Sequence, residues 1–157
     1  MIQIPHNQDM KISINTDAQY SETEITVNCN HLSDDIEKLL AAIRMADMKL
    51  TGSKGGRQYI FDAADVIYIE STDKRCFLYT LSDVYESSFK LNELETKLAD
   101  RDFMRASKSC LFNIRHIKYI EPDFDRKLTL TMERDLIVVV SRQYSGLVKE
   151  KLEAYHG

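Results

Sequence analysis

The sequence predicts a mainly β, sandwich-like domain with a few helices, preceded by a small α/β segment. Two observations favour this fold class. The second part of the chain is dominated by short segments rich in β-branched and aromatic residues, which are typical of strands. Tight turns separate these segments, and they do not alternate regularly with helices as a βαβ repeat would require. We therefore expect residues 1–60 to form the small N-terminal segment and residues 61–157 to form the β-rich domain.

The N-terminal segment combines two alternating stretches with one amphipathic helix. Met10–Ile14 and Glu24–Cys29 alternate apolar and polar residues, as half-buried strands do. Acidic residues suited to a first helical turn follow from Asp34. Apolar residues then recur on one helical face. The residues of this face are Ile36, Leu39, Leu40 and Ile43. The glycine-rich stretch Gly52–Gly56 predicts a hairpin tip between two short strands.

The second part contains six predicted strands and two predicted helices. The strands are Val66–Glu70, Cys76–Leu81, Val84–Phe89, Ile114–Ile120, Leu128–Met132 and Leu136–Val140. The first helix carries Leu91, Leu94 and Leu98 on one face. The second helix runs near Tyr144–Tyr155, and its inward residues are expected to be Leu147, Val148 and Leu152.

Composition indicates a globular protein outside any membrane. The chain has 157 residues, of which 43% are apolar and 29% are charged. No apolar run approaches the length of a membrane span, and the first ten residues do not resemble a signal peptide. The cysteines Cys29, Cys76 and Cys110 are odd in number and irregularly spaced, which favours reduced thiols. We therefore expect a cytoplasmic protein without membrane insertion.

No motif indicates catalysis, a metal or a cofactor. The glycines of Gly52–Gly56 lack the spacing of a phosphate-binding loop. Cys29 and His31 lack the second ligand pair that a zinc site needs. Ser107 and its neighbours follow one another in sequence, and such neighbours rarely converge into a nucleophile with its base. His116 is expected on a surface strand. We therefore expect neither an enzyme nor a cofactor.

Charge is distributed unevenly along the chain. The net charge is −4, yet the segment from Arg101 to Lys118 carries +4, which leaves −8 for the remainder. Polar and basic residues also occupy three predicted loops, Thr72–Arg75, Ser107–Ser109 and Ser141–Gln143. These loops could be solvated turns, or they could form a binding edge of a rigid sheet. In the second case Arg and Lys could contact guanine or phosphate, and Ser and Gln could contact bases or backbone.

Four segments of the second part occur in a recognisable order. They are DVIYIES (Asp65–Ser71), FKLNELETKL (Phe89–Leu98), FMRASKSCLFNIRHIKYIE (Phe103–Glu121) and VVVSRQYSGLVKEKL (Val138–Leu152). Through these segments the chain resembles the LytTR-type DNA-binding domain of bacterial transcription regulators, including response regulators. The resemblance implies an elongated, ten-stranded β fold that reads successive major grooves through loops.

The resemblance also implies which residues contact DNA. Residues that follow the family's FxR string correspond to Ser107 and Lys108, and the contact before the last helix corresponds to Arg142. A looser match places a third contact at Lys74 or Arg75. The expected DNA-binding residues are Lys74, Arg75, Ser107, Lys108, Arg142 and Gln143. The family often has His at the position of Ser107, so base preference could differ here.

A structural role is expected for Asn113, which ends the FxRxxKSxxxN string. Its side-chain amide would bond local backbone and fix the following turn. Leu111 and Phe112 beside it are expected in the core.

The expected function is that of a sequence-specific, DNA-binding transcription regulator, without a receiver domain in this chain. The family's partner is double-stranded DNA with direct repeats, bound by a homodimer. The apolar face that begins at Ile36 could contribute to self-association, or it could simply pack on neighbouring strands. The alternative function is a protein-interaction module that kept the fold without DNA binding, which the acidic remainder would suit.

Overall fold

The computed structural model describes residues 10–156, and its regular elements begin at Asp34. The helices are α1 Asp34–Ala46, α2 Leu91–Lys97 and α3 Arg142–His156. The strands are β1 Lys49–Lys54, β2 Arg57–Asp62, β3 Val66–Thr72, β4 Arg75–Thr80, β5 Val84–Ser87, β6 Phe103–Ser107, β7 Cys110–Asn113, β8 Ile117–Pro122, β9 Leu128–Met132 and β10 Ile137–Val140. Short 3-10 segments lie at Ala63–Asp65, Ile114–His116, Phe124–Arg126 and Glu133–Asp135. The chain divides into two compact units between residues 31 and 32, and all of these elements belong to the second unit.

Two antiparallel sheets form the frame of the second unit. The larger sheet has seven strands in the order β2-β1-β5-β4-β3-β7-β6, and the smaller has three in the order β10-β9-β8. The inner strand β3, which lies between β4 and β7, is buried along its first four residues, which fits its uninterrupted apolar sequence. The expectation of a mainly β, sandwich-like fold is therefore confirmed.

Apolar side chains pack on both faces of the large sheet. On one face, Phe112 and Ile67 pack against residues of the small sheet and of α3, among them Leu130 and Val148. On the other face, Ile69 joins the core that contains the leucines of α2 and Met45 of α1. The burial of Phe112 and Leu111 confirms their expected core positions.

Local sequence explains where several elements begin and turn. The α1 helix starts after Ser33, whose Oγ accepts a hydrogen bond from the N–H of Ile36 (3.4 Å), with acidic residues in its first turn. The predicted hairpin tip joins β1 to β2 through Gly55 and Gly56, whose φ angles of 58° and 77° lie in the left-handed region. A glycine pair adopts this conformation without Cβ strain, so the glycines fix the turn.

The predicted helical face of α1 is only half-buried, although the helix itself is confirmed. The fully buried residues of α1 are Ala41 and Met45. The predicted face residues Ile36, Leu39, Leu40 and Ile43 all have intermediate exposure. This face therefore contributes to the core without being fully covered in the single chain.

Some predicted strands are wrong and two strands are new. Met10–Ile14 and Glu24–Cys29 contain no strand, and Ile12 and Ile14 are more than 80% exposed. Alternation produces a strand only where a neighbouring strand supplies hydrogen bonds, so the pattern alone was insufficient. The strands β6 and β7 were not predicted, because each is short and the polar Ser-Lys-Ser turn interrupts them.

Three details of the second half also differ from expectation. The predicted strand from Ile114 begins only at Ile117, because a 3-10 turn occupies Ile114–His116. His116 lies in that turn, where its Nε2 is 2.6 Å from the carbonyl oxygen of Ala64. In α3, Val148 and Leu152 are buried as expected, whereas Leu147 is 60% exposed because it points away from the sheets.

The expected boundary between residues 60 and 61 falls within β2. Strands on both sides of this position belong to the same seven-stranded sheet, since β1 pairs with β5 through Ser53 and Glu86. A separate dimerisation role for residues 1–60 stays a prediction.

Candidate nucleic-acid interface

Three loops lie side by side along one end of the sheets. The β3–β4 turn and the β6–β7 turn are neighbours because β3 pairs with β7, and the N–H of Ser71 donates to the carbonyl oxygen of Ser109 (2.8 Å). The start of α3 joins this row, since the N–H of Ser141 donates to the carbonyl oxygen of Ala106 (2.8 Å). Backbone bonds thus bring together loops that are distant in sequence.

The β3–β4 turn presents Lys74 to solvent. Asp73 and Lys74 have φ angles of 52° and 64°, so two left-handed residues reverse the chain. Arg75 begins β4, and its side chain contacts other residues of the protein. Its guanidinium donates to both carboxylate oxygens of Glu86 (2.6 and 3.1 Å) and lies 5.1 Å from the ring centre of Phe77. The hydrogen bond from Arg75 lowers the pKa of Glu86 from its ordinary value.

The β6–β7 turn presents Lys108 at its tip. The Ser107 hydroxyl accepts a hydrogen bond from the N–H of Ser109 (3.2 Å), so it shapes the turn. The Lys108 side chain is exposed, and within residues 10–156 its ammonium makes no hydrogen bond or ion pair. Ser107 therefore has a structural contact in the turn, while Lys108 is available to a partner.

Most of the basic cluster between Arg101 and Lys118 is used inside the protein. Arg115 pairs with Asp102 (2.7 Å), Lys118 pairs with Asp135 (3.0 Å), and Arg101 donates to the carbonyl oxygen of Lys97 (2.9 Å). Arg105 is also bound internally, to Glu95 (2.7 Å). The cluster is thus not a continuous free cationic patch, although its local charge suggested one.

A shallow cleft joins the second and third loops. Its volume is about 520 Å³. The lining residues are Ser107, Lys108, Ser109, Asp125, Lys127, Ser141, Arg142 and Gln143. Four predicted residues, Ser107, Lys108, Arg142 and Gln143, therefore meet in one place. Lys74 and Arg75 do not line this cleft and belong to the neighbouring turn.

Asp125 and Lys127 were not expected at the site. Both belong to the β8–β9 connection, which reaches this end of the molecule because Leu128 at the start of β9 pairs with Val140 at the end of β10. The signal in the sequence was the charged turn DFDRK between two strand patterns. Without the pairing of β9 and β10, nothing indicated that this turn lies beside Arg142.

Asp125 is an acidic neighbour of Arg142. Its Oδ1 lies 3.4 Å from Nη1 of Arg142, and both side chains are more than 60% exposed. Asp125 has φ of 57°, so the backbone turns sharply where its carboxylate projects. An exposed pair at this distance is weak, which leaves the Arg142 guanidinium able to exchange its partner.

The start of α3 supplies further donors. Arg142 is the first residue of the helix, and the carbonyl oxygen of Ser141 accepts hydrogen bonds from the N–H groups of Tyr144 and Ser145 (both 3.0 Å). Gln143 is exposed beside Arg142. The first N–H groups of a helix have no intrahelical acceptor, so this end of α3 favours negatively charged groups.

Asn113 is a structural residue. It is fully buried, its Nδ2 donates to the carbonyl oxygen of Val66 (3.0 Å), and its Oδ1 accepts from the N–H of Arg115 (3.0 Å). The bond to Val66 connects β7 to the start of β3, and the bond from Arg115 fixes the 3-10 turn that follows. The local bond was expected from the sequence, whereas the bond to Val66 was not.

Within the described part of the chain, no three His, Cys, Asp or Glu side chains cluster as metal ligands would. In the same residues, no helix has the length and apolar character of a membrane span. The thiols of Cys76 and Cys110 are buried.

The chain is similar to a known domain family and to a solved structure of that family. The sequence model of the family described as the LytTr DNA-binding domain matches residues 56–153. A solved structure of a LytTr DNA-binding domain from Bacillus cereus matches with a TM-score of 0.64 and 26% identity, covering 66% of this chain and 95% of that one.

Three relatives differ in how much of their length is matched. Sensory transduction protein LytT of Bacillus subtilis (strain 168) is 35% identical over 104 residues, which are 66% of this chain. The chain spans only 43% of that relative and 52% of the LytT protein of Bacillus cereus. A Staphylococcus aureus protein named as an HTH-type transcriptional regulator is 23% identical over 145 residues and is covered over 98% of its length.

Proposed function

The chain belongs to the LytTr DNA-binding domain family, and we propose that it is a transcription regulator that reads a specific DNA sequence through its loops. The row of three loops at one end of the sheets carries this proposal. Each loop offers a different exposed donor, namely Lys74, Lys108 and Arg142. Because a rigid sheet holds the loops, their donors can meet successive positions along a duplex.

Arg142 and Lys108 are the proposed base readers. The Arg142 guanidinium is planar and can donate two parallel hydrogen bonds to the O6 and N7 atoms of guanine. Lys108 can reach guanine or phosphate from the neighbouring turn. Ser107 and Gln143 line the same cleft and can bond bases or backbone. The first N–H groups of α3 would favour a phosphate beside them.

In the outer loop, Lys74 is a better DNA contact than Arg75. The Arg75 guanidinium already forms two hydrogen bonds with Glu86, whereas Lys74 is exposed at the tip of the turn. Lys74 and Lys127 would contact phosphates and fix the register of the protein on the duplex. Arg75 would help indirectly, because its bonds connect β4 to β5 behind the turn.

The proposed form on DNA is a homodimer on direct repeats. One cleft with its adjacent turn can cover only part of a regulatory site, so a second copy would supply the second half-site. The half-buried α1 face that begins at Ile36 is the proposed place of self-association. Since bacterial DNA is the proposed partner, the cytoplasm is the proposed location.

Selection of bound sequences from a random duplex pool tests this function. Wild type and Arg142→Ala would be selected in parallel at low salt. Arg57→Ala on β2 serves as the control, because it also removes an exposed arginine but lies outside the cleft and away from α1. We expect wild type and the control to enrich the same motif in two half-sites about one helical turn apart.

We expect Arg142→Ala to lose that motif. Failure of wild type to enrich any sequence would reject the proposal and favour the alternative, a protein-interaction module with the same fold. Identical motifs from wild type and Arg142→Ala would reject the role of Arg142 while leaving DNA binding in place.

A further inference from the structure

Arg105 lies next to the proposed DNA-reading turn, but its side chain is directed into the protein. Only 12% of its side-chain surface is exposed. Its Nε donates to Oε2 of Glu95 (2.7 Å), and its Nη2 donates to Oδ1 of Asn92 (2.6 Å). Both partners belong to α2. The guanidinium is therefore fixed to that helix.

The remaining side of the same guanidinium holds the backbone of the turn. Nη1 of Arg105 donates to the carbonyl oxygen of Lys108 (2.7 Å). The strand pairing shifts register between Arg105 and Ser107, so the regular ladder of hydrogen bonds is interrupted immediately before the turn. In the described residues, one other hydrogen bond joins a side chain to the backbone of this turn. In that bond the N–H of Ser109 donates to the Ser107 hydroxyl. Arg105 thus replaces part of the missing ladder.

We infer that Arg105 is a positioning residue that, together with Glu95 and Asn92, holds the Lys108 turn in its DNA-binding conformation. This inference rests on the proposed function and deepens it, because it assigns a role to a basic residue that would otherwise be taken for a DNA contact. A turn held in place before binding loses less conformational freedom on binding, so affinity is higher. The planar fork of arginine serves three acceptors at once, which a lysine ammonium cannot do in the same geometry.

A direct phosphate contact by Arg105 makes the opposite predictions. In that case Glu95 would compete with DNA for the guanidinium, and Glu95→Gln would strengthen binding. Arg105→Lys would also keep most of the affinity, since a point charge is sufficient for phosphate. If Arg105 positions the turn, Glu95→Gln weakens binding and Arg105→Lys is about as harmful as Arg105→Gln.

The salt dependence of binding separates the two roles. Each lost phosphate contact lowers the slope of log K against log salt by about one. We expect Arg105→Gln to reduce affinity for the selected duplex by about tenfold with an unchanged slope. Lys108→Gln is the matched comparison, because it removes a charge from the tip of the same turn. A slope reduced by about one in Arg105→Gln, or tighter binding by Glu95→Gln, would overturn the inference.

Trypsin cleavage after Lys108 provides a readout that does not need DNA. The Lys108 carbonyl oxygen is held by Arg105, so the bond from Lys108 to Ser109 should be cut slowly in wild type. We expect Arg105→Gln and Arg105→Lys to accelerate this cut by about tenfold. Cleavage after Lys127, which lies in another exposed turn, is the internal control and should be unchanged.

The two readouts keep failure of the inference apart from failure of the proposed function. If wild type binds no DNA sequence, the proposed function fails, and the cleavage rate alone decides whether Arg105 holds the turn. An unchanged rate after Lys108 in both variants would overturn the inference. Faster cleavage after both Lys108 and Lys127 would also overturn it, because that result would indicate a general loss of stability.

Discussion

The acidic residue beside Arg142 should weaken DNA binding. Asp125 lies 3.4 Å from the guanidinium that is proposed to read a base, and its charge also repels phosphates. Exposed pairs of this kind are worth about 0.2–1 kcal/mol, so Asp125→Asn should tighten DNA binding up to about fivefold. Binding to the selected duplex, followed by fluorescence anisotropy, measures the change.

Glu150→Gln is the matched control for Asp125→Asn. It also removes one exposed acid, on α3, but Glu150 does not line the cleft. We expect a smaller change in affinity from the control. Equal changes in the two variants would show that only net charge matters, and weaker binding by Asp125→Asn would mean that its carboxylate itself contacts the DNA.

Asn113 gives a prediction about stability. Replacement by alanine leaves the carbonyl of Val66 and the N–H of Arg115 without their present partners. An orphaned buried polar group costs about 1–3 kcal/mol, so Asn113→Ala should lower the free energy of unfolding by about 2–4 kcal/mol. Urea unfolding measures this loss. The exposed Asn30→Ala should change stability by less than about 0.5 kcal/mol, and similar losses in both variants would contradict the account.

The cysteines give a prediction about reactivity and pH. Burial raises the pKa of Cys76 to about 11 and that of Cys110 to about 12, whereas Cys29 is exposed. A disulfide reagent at pH 8 should therefore modify one thiol in the native protein and three after denaturation, because only thiolates react. Rapid modification of two or three native thiols would contradict the burial of Cys76 and Cys110.

The same pKa shifts fix how stability changes at alkaline pH. The unfolded thiols ionise near pH 9.0, while the folded protein keeps these protons to higher pH. The folded state then binds more protons than the unfolded state, so the free energy of unfolding falls as the pH rises above about 9. Cys110→Ala should make this fall less steep, which urea unfolding at several pH values can measure.

The contact between β1 and β5 depends on a glycine. A Cβ on Gly52 would lie 2.5 Å from the Cβ of Tyr85, so alanine would force these strands apart. Overpacking of this kind typically costs about 1–3 kcal/mol, and Gly52→Ala should lower the melting temperature by several degrees.

Gly146→Ala is the matched control. Gly146 lies in α3 with no atom near the position of an added Cβ, and alanine favours a helix by up to about 1 kcal/mol over glycine. The control should therefore melt at the same or a higher temperature. A Gly52→Ala variant as stable as wild type would mean that the two strands approach less closely than described.

Elements with a strong local pattern could be predicted from the sequence. The helix α1 and the strand β9 follow from helical spacing and from a compact β-branched segment, and both occur where they were expected. The strands β6 and β7 could not be predicted in this way, because their pairing depends on the buried core around Phe112 more than on local alternation. Met10–Ile14 is the opposite case. Its residues alternate, but they form no strand because no neighbouring strand pairs with them.

The site was predictable only in part for the same reason. The residues Lys108 and Arg142 were expected from motifs, and the structure brings them to one cleft. Asp125 and Lys127 required the pairing of β9 with β10, which sequence alone did not give. The role of Arg105 required knowledge that its guanidinium turns toward α2 instead of solvent.

The acidic chain presents a small set of exposed cations at one end of its sheets. The net charge is −4, but Lys74, Lys108, Lys127 and Arg142 all belong to the loops at that end. Nearby charges dominate because salt screens charges beyond about 8 Å, so the acidic remainder need not prevent DNA binding there. The same remainder should suppress nonspecific adhesion of the other surfaces to nucleic acid.

Loop-mediated DNA reading is tested by comparing affinity for a selected duplex with affinity for a scrambled duplex of equal length. Both affinities would be measured for wild type and Arg142→Ala over a range of salt concentrations. We expect wild type to prefer the selected duplex and Arg142→Ala to lose about 1–3 kcal/mol of this preference while salt-sensitive binding survives. Equal affinity of wild type for the two duplexes, or an unchanged preference in Arg142→Ala, would contradict this expectation.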